Sequence, residues 1–381
     1  MTEPNPKPCV HLVAGARPNF MKIAPVVRAL RRDGRLDWKI VHTGQHHDHN
    51  MSQVFFDELG IPAPDVQFDC SGGSHASQTG RVMQAYEGHC AADRPAAVVV
   101  VGDVNSTLAC ALVAKKAGIP VAHIEAGLRS GDRRMPEEIN RIATDAISDW
   151  FFVTEPSGVE HLRHEGHAED CIFHVGHVMV DNVMHQAWRL ADEGAGGLDT
   201  EVIKAVVGPH YGVVTLHRPS NVDDTRVLAG IVGALNEIAV EIPLVFPVHP
   251  RTFASLKLLQ GEGIQLSDRV HLMPPQAYMS FLNLWKDAAL VLTDSGGLQE
   301  ETTALGVPCL TLRDNTERPI TVEQGTNTLA GTDPARIRTL ALQRLRESRR
   351  RSEQGEGARR PPLWDGLAAV RIVNILASQL T

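Results

Sequence analysis

Ala96-Ala-Val-Val-Val-Val-Gly102 is short, β-branched and apolar at every strand position. A strand built from it has no face that favours water, which is the pattern of a central strand in a parallel sheet covered on both sides. Val10-His-Leu-Val-Ala-Gly15 and Lys39-Ile-Val-His42 read as strands before it, the first ending in a glycine turn ahead of a helix of about a dozen residues from Phe20. Pro120-Val-Ala-His-Ile124, Trp150-Phe-Phe-Val153 and Cys171-Ile-Phe-His-Val175 continue the series after it. Helical patterns lie between these runs. Such alternation predicts an open α/β sheet with right-handed crossovers.

The pattern then restarts. A helix predicted over Val178 to Leu190 is followed by the break Ala191-Asp-Glu-Gly-Ala-Gly-Gly. Tyr211-Gly-Val-Val-Thr-Leu216, Pro243-Leu-Val-Phe246, Val270-His-Leu-Met273, Ala289-Leu-Val-Leu292 and Pro308-Cys-Leu-Thr-Leu312 supply a second set of strands. The polar stretch from Glu347 to Pro362 reads as a loop, and Trp364 to Leu380 as a closing helix. Two sheets fit a chain of 381 residues, since domains run to roughly 150 residues each. They predict a ligand cleft outside the carboxyl ends of the strands.

Composition narrows the function. With 37 Lys and Arg against 45 Asp and Glu, the formal charge is −8, which argues against a nucleic-acid partner held by its backbone charge. No apolar run has the roughly 20 residues of a membrane helix. The segment Met1 to Cys9 lacks a basic stretch followed by a long apolar one, so a cytoplasmic setting is expected. The cysteines (Cys9, Cys70, Cys90, Cys110, Cys171 and Cys309) are scattered without a Cys-x-x-Cys pair, so no disulfide framework is expected. Gln45-His-His-Asp-His49 is bunched like a loop rather than spaced like a zinc site, and no metal is assigned.

Chemistry-bearing residues follow the strands. Gly15-Ala-Arg-Pro-Asn-Phe-Met-Lys22 places Arg17 and Lys22 near a helix start, where an anion is favoured; it is neither a Gly-x-Gly-x-x-Gly fingerprint nor a Walker loop. Asp103 and Glu125 each stand just beyond a strand, and Pro136-Glu-Glu-Ile-Asn-Arg141 opens a helix. Each acid alone reads as a cap or a first-turn residue. Together on one sheet edge they suit general acid–base work. His217 and Arg218 follow a strand in the second half, as does His249-Pro-Arg251. In Leu292-Thr-Asp-Ser-Gly-Gly-Leu-Gln-Glu-Glu301 a strand, a tight turn and a helix follow one another, a pattern that offers backbone N–H groups and a helix N-terminus to phosphate. Glu301 lies further along that helix, within reach of ribose hydroxyls, and Arg313 and Arg318 follow the next strand.

Across nearly the whole chain these segments resemble the non-hydrolysing UDP-N-acetylglucosamine 2-epimerases. The resemblance rests on Gly15-Ala-Arg-Pro, Thr43-Gly-Gln-His46, Gly102-Asp103, His123-Ile-Glu-Ala-Gly-Leu-Arg129, Pro136-Glu-Glu-Ile-Asn-Arg141, Thr215-Leu-His-Arg218, Thr293-Asp-Ser-Gly-Gly-Leu-Gln-Glu-Glu301 and Thr316-Glu-Arg-Pro319. It implies two Rossmann-like domains facing across a cleft, a glycosyltransferase-B-like fold. The first domain would span 1–180 plus a returning helix at 363–381, and the second 181–362. It implies a homodimer, a UDP-sugar substrate, no cofactor, and UDP-N-acetylmannosamine made for surface polysaccharide. By motif, Asp103, Glu125, Glu137 and His217 are the catalytic candidates. Arg17, Lys22, Arg141, Arg218, Ser295, Gly296, Gly297, Glu301, Arg313 and Arg318 are the substrate-binding candidates, with Gln276 and Phe281 at the uracil.

The chain departs from the family pattern twice. The usual Gly-Thr-Arg-Pro-Glu reads Gly15-Ala-Arg-Pro-Asn19 here, and the usual His-Arg-x-Glu-Asn reads His217-Arg-Pro-Ser-Asn221. A glycosyltransferase on the same scaffold, a hydrolysing epimerase and a 2-epimerase for a related UDP-sugar are the alternative readings.

Overall fold

The computed structural model describes residues 6–45, 53–195, 198–354 and 357–381. The histidine run His46 to His49 lies outside them. The chain divides into two compact units, Met1–Asn182 with Pro362–Thr381, and Val183–Pro361.

The first unit is built on a parallel sheet of seven strands: β1 Cys9–Ala14, β2 Asp37–His42, β3 Val66–Gln67, β4 Ala97–Val101, β5 Val121–Ile124, β6 Trp150–Val153 and β7 Ile172–His174, in the order β3-β2-β1-β4-β5-β6-β7. As its composition requires, β4 is buried at every residue. Period-two alternation divides the strands between two cores. Val10, Leu12, Val99 and Val101 face a core shared with the helix Arg17–Asp33, while Val13, Val98 and Val100 face one shared with Asn105–Lys116.

The second unit repeats the plan with β8 Gly212–Thr215, β9 Leu244–Pro247, β10 Val270–Met273, β11 Leu290–Thr293, β12 Cys309–Thr311 and β13 Asn327–Leu329, in the order β10-β9-β8-β11-β12-β13. All its pairings are parallel. Each sheet has the strand order of a dinucleotide-binding half-and-half fold, which reverses direction between β1 and β4 in one unit and between β8 and β11 in the other. The chain is therefore α/β with two Rossmann-like units. No helix among the described residues is long and apolar enough to cross a membrane.

Several local expectations are corrected. The first helix begins at Arg17, because Pro18 fits the opening turn and needs no N–H partner there. Glu347 to Gln354 is no loop but the end of the helix Pro334–Gln354, where Glu347 accepts from Gln343 and Arg344 on the preceding turn. The closing helix starts only at Ala368, after a left-handed Gly366. The edge strands β3 and β13 carry too few apolar residues to stand out in the sequence.

The closing helix Ala368–Leu380 belongs to the first unit, where Ile372, Val373 and Leu376 enter the core around Phe20 and Ile23. Its cap residue Leu367 offers no side-chain acceptor. Asp181 replaces it, accepting from Ala368 N at 3.1 Å and Ala369 N at 2.7 Å. Burial pushes that carboxyl up to about 6 against the opposing pull of the two N–H groups. Leu376→Ala is expected to cost about 2–5 kcal/mol in urea denaturation, whereas Val370→Ala on the exposed side stays within about 0.5 kcal/mol.

Candidate functional site

In the first unit the polar residues gather at the carboxyl ends of β1, β4 and β5. After β1 the chain turns through Gly15 and Ala16, whose N–H groups donate to Asn19 Oδ1 at 3.1 and 2.9 Å. Asn19 Nδ2 donates in turn to the Val101 carbonyl at 3.3 Å, joining this turn to the end of β4. A glutamate at this position lacks that donor, so the amide has a structural use of its own. One turn along the helix, Lys22 Nζ donates to Glu125 Oε2 at 2.5 Å. The Arg17 guanidinium stands 5.1 Å from the Phe55 ring centroid, a cation–π distance.

Two backbone positions here are unusual. Gly102 has φ +69°, and a Cβ on it would lie 3.1 Å from Lys22 Nζ. Glu125, which is not glycine, has φ +71°. Left-handed backbone in a side-chain-bearing residue costs free energy and is held only by its surroundings. The N–H of Glu125 is fixed to the Phe152 carbonyl at 3.0 Å.

Asp103 is ion-paired with Arg141. Arg141 also reaches Glu138 Oε2 at 2.9 Å, and Glu138 accepts from Ser130 N and Gly131 N, each at 2.9 Å. Burial alone would raise the Glu138 carboxyl; the two backbone donors and Arg141 outweigh it and hold it low. Of the two adjacent acids, Glu138 is thus the one built into the network, at 1 % exposure. Glu137 is half-buried on the same helical turn and takes no part in these bonds.

Sequence reasoning gave His123 no role. Its Nδ1 lies 2.6 Å from Asp145 Oδ1 and its Nε2 lies 2.8 Å from the Gly102 carbonyl. An ionised carboxylate and a carbonyl can only accept, so both ring nitrogens donate and the group is an imidazolium. Burial opposes that charge, but Asp145 overcomes it and raises the pKa. Asp145 is further bound by Arg129 Nη1 at 2.8 Å and Gly127 N at 3.0 Å. A buried, fully satisfied ion network therefore fixes the carbonyl immediately before Asp103. His123 stands inside a family motif, but its partners Asp145 and Gly102 are 22 and 21 residues away in sequence, so no local pattern announces them.

In the second unit the corresponding edge is organised by Asp294, which sequence reasoning also left without a role. Fully buried, it accepts from His217 N at 3.0 Å, Arg218 N at 2.9 Å and Asn221 Nδ2 at 3.3 Å. The fourth partner is His217 Nδ1 at 2.9 Å. Burial alone would raise this carboxyl, yet the His217 hydrogen bond and the backbone donors hold it below its ordinary value. The ring of His217 is thereby oriented through Nδ1.

Ser295 caps the helix Gly296–Leu305 by backbone geometry, its side chain making no capping bond. A Cβ on Gly297 would meet nothing within 4 Å, so space lies against the first helical turn. The buried Nε of Arg218 has no hydrogen-bond partner. Arg313 Nη2 donates to Glu317 Oε1 at 2.9 Å, and Arg318 Nε pairs with Glu300 Oε1 at 2.5 Å. Open helical N–H groups beside several guanidinium groups favour an anion.

Gln276 and Phe281 follow β10, with Gln276 Nε2 donating to the Pro274 carbonyl at 2.8 Å. Phe281 is half-buried on the helix Tyr278–Trp285. From the same helix the Tyr278 hydroxyl donates to Glu301 Oε1 at 3.5 Å, bringing Glu301 toward the Phe281 helix. Burial, reinforced by the charge of Glu300, pushes the Glu301 carboxyl up to about 8. It is protonated at neutral pH and can donate a hydrogen bond as well as accept one.

An α/β chain with acids at one Rossmann-like switch point and an anion-binding turn at another is the class that handles nucleotide-linked substrates. Comparison with known proteins is more specific. The model of the UDP-N-acetylglucosamine 2-epimerase family matches residues 28–377. The chain is 40 % identical over 369 residues to UDP-N-acetylglucosamine 2-epimerase of Methanocaldococcus jannaschii, covering 96 % of this chain and 98 % of that one. It is 41 % identical over 368 residues to UDP-2,3-diacetamido-2,3-dideoxy-D-glucuronate 2-epimerase of Pseudomonas aeruginosa, with the same coverage. The crystal structure of the M. jannaschii enzyme in complex with UDP-GlcNAc and UDP superposes with a TM-score of 0.78 at 39 % identity, covering 97 % of this chain and 99 % of that one. The chain belongs to the UDP-N-acetylglucosamine 2-epimerase family, and its activity is that of an isomerase.

The raised Glu301 carboxyl has a stability consequence. A group that is more basic folded than unfolded contributes fully below its unfolded pKa, and the contribution is lost as pH rises through the folded value. Thermal melts should therefore show stability falling between about pH 5 and pH 8, the window set by ordinary glutamate and by the folded value near 8. Glu301→Gln should flatten that part of the profile.

Proposed function

We propose that this enzyme interconverts UDP-N-acetylglucosamine and UDP-N-acetylmannosamine by eliminating and re-adding UDP. The C2 hydrogen of the sugar is not acidic, because C1 is an acetal carbon. In the forward half-reaction a base removes the C2 proton, the C–H electron pair becomes the C1–C2 double bond, and the C1–oxygen bond to the β-phosphate breaks. The products are 2-acetamidoglucal and UDP. In the return half-reaction a β-phosphate oxygen attacks C1 and a proton reaches C2 from the opposite face. The sequence is redox-neutral and needs no cofactor.

Asp103, Glu125 and Glu137 are the carboxylate candidates for proton transfer at C2, and His217 is a proton-transfer partner near the diphosphate. Lys22 and Arg141 orient Glu125 and Asp103 by ion pairing. Ser295, Gly296, Gly297, Arg17, Arg218, Arg313 and Arg318 hold the phosphates as negative charge develops on the leaving group. Glu301 holds ribose, and Gln276 with Phe281 holds uracil. The observation that carries this reading is the family match over residues 28–377, with Asp103 and Glu125 standing at the end of paired strands. A homodimer in the cytoplasm supplying surface polysaccharide synthesis completes the proposal.

A second reading has support in the P. aeruginosa relative, which acts on a diacetamido-glucuronate sugar and is as similar as the archaeal enzyme. That substrate carries a further carboxylate, and the replacement of two family acids by Asn19 and Ser220 removes a negative charge from the residues after β1 and another from those after β8.

Purified protein incubated in deuterated water with each UDP-sugar separates these readings by NMR. The expected result is a UDP-N-acetylmannosamine signal deuterated at C2 with little free UDP. Stoichiometric UDP release would mark hydrolysis instead, and turnover only of the diacetamido-glucuronate substrate would favour the second reading. Asp103→Asn should slow C2 exchange by about 10²–10⁴-fold while UDP still binds; unaltered exchange would remove Asp103 from the mechanism. Asp294→Asn should lower kcat by about 10²-fold or more through loss of His217 orientation, with UDP affinity much less affected.

A further inference from the structure

The face of β1 that packs on the helix His75–Ala92 carries a group of side chains the epimerase reaction does not use. His11 is completely buried there, between Cys9 and Val13 on the strand. His89 sits on the last turn of the helix and Asp93 at its C-cap, four residues apart and so on one helical face. The His11 and His89 rings stack with centroids 5.0 Å apart. His11 Nε2 lies 3.7 Å from Asp93 Oδ2, and His89 Nε2 lies 3.8 Å from the same oxygen. One potential ligand atom from each residue falls within 4.8 Å of the other two.

Both imidazole Nε2 atoms are buried and lack a hydrogen-bond partner. Buried polar atoms are rarely left so, and each needs an explanation. Here two of them converge on one carboxylate oxygen, at distances too long for hydrogen bonds. Around a tetrahedral ion with bonds of about 2.0–2.1 Å, ligand atoms lie about 3.3–3.4 Å apart. The two nitrogen–oxygen spacings, 3.7 and 3.8 Å, close to that value with movements of a few tenths of an ångström. The opposite ring nitrogen of His11 is also held, with Nδ1 3.2 Å from the Tyr86 hydroxyl. When Nδ1–H donates to that hydroxyl, the Nε2 lone pair faces the carboxylate, the outer-shell arrangement of metal-bound histidines.

We propose that His11, His89 and Asp93 form a binding site for a divalent transition ion of the zinc class. Two imidazoles and one carboxylate select such an ion over magnesium or calcium, which take oxygen-rich shells. His89 and Asp93 are partly exposed, so the approach is from their side, while His11 forms the buried wall. Lys39, paired with His11 across β1 and β2, is the competitor: its Nζ holds Asp93 Oδ2 at 2.5 Å. This lysine is substantially exposed and can turn outward to release the oxygen. The ion would tie β1 to the end of the helix, on strand positions away from the carboxyl ends that carry the acids.

The test is titration of chelator-treated protein with Zn²⁺ by calorimetry and with Co²⁺ by visible spectroscopy. All measurements use a background in which His46, His47 and His49 are alanine, so that histidine run cannot supply the ligands. The expected result is one tightly bound ion per chain, a tetrahedral Co²⁺ spectrum, and a higher Tm with Zn²⁺. His89→Ala and Asp93→Asn should each abolish the spectrum. Tyr86→Phe should weaken affinity by about 10-fold or more, and Lys39→Gln should strengthen it. UDP binding by these variants reports that the fold is intact. Should His11→Gln fail to fold, the two exposed-side variants still decide the matter. Absence of stoichiometric binding, or binding unchanged in His89→Ala and Asp93→Asn, overturns the proposal.

Discussion

Everything chemical in this protein depends on where neighbouring strands send their chains in opposite directions. After β1 the polypeptide enters the helix Arg17–Asp33 on one face of the sheet, and after β4 it enters Asn105–Lys116 on the other. The two connections cannot lie over each other, so the strand ends between them stay uncovered. Asn19 spans that opening by bonding both turns. In the second unit Asp294 does the equivalent work, gathering the turn after β8 onto the end of β11. Burying a carboxylate there is tolerable only because every donor around it is aimed inward.

The electrostatic design follows from that exposure. The chain is acidic overall, yet its two strand edges separate the signs. Acids paired to Lys22 and Arg141 occupy the first unit's edge, and the N-terminus of a helix with neighbouring arginines occupies the second's. Pairing fixes the direction of these acids, while the buried Arg218 Nε is left without a hydrogen-bond partner. Glu301 is the exception, a carboxyl whose burial keeps it neutral near physiological pH.

Much of this was legible from residue order. Central strands such as β4 announce themselves because both faces must be apolar, and the motifs at their ends are short and local. The residues that organise those motifs were harder to see. Asp294 lies inside a family motif, but its four donors come from His217, Arg218 and Asn221, more than 70 residues away. Glu138 and Glu137 are indistinguishable in sequence, and only the direction of Arg141 and the Ser130–Gly131 turn separates them. The edge strands β3 and β13 hid because half-covered strands need little apolar surface. The arginine-rich end of the helix Pro334–Gln354 looked like loop because its stability comes from side-chain pairs rather than from an apolar stripe.

The closing helix has a consequence for biosynthesis. The first unit takes its last element from Pro362–Thr381, so the whole of Val183–Pro361 is made before that unit has all its parts. Domains fold as units while the chain emerges from the ribosome. The second unit is contiguous and can close as soon as it is exposed. The first unit, begun earlier, must wait with the apolar groove beside Phe20 and Ile23 uncovered until Asp181 receives the N–H groups of Ala368 and Ala369. What is translated first is finished last.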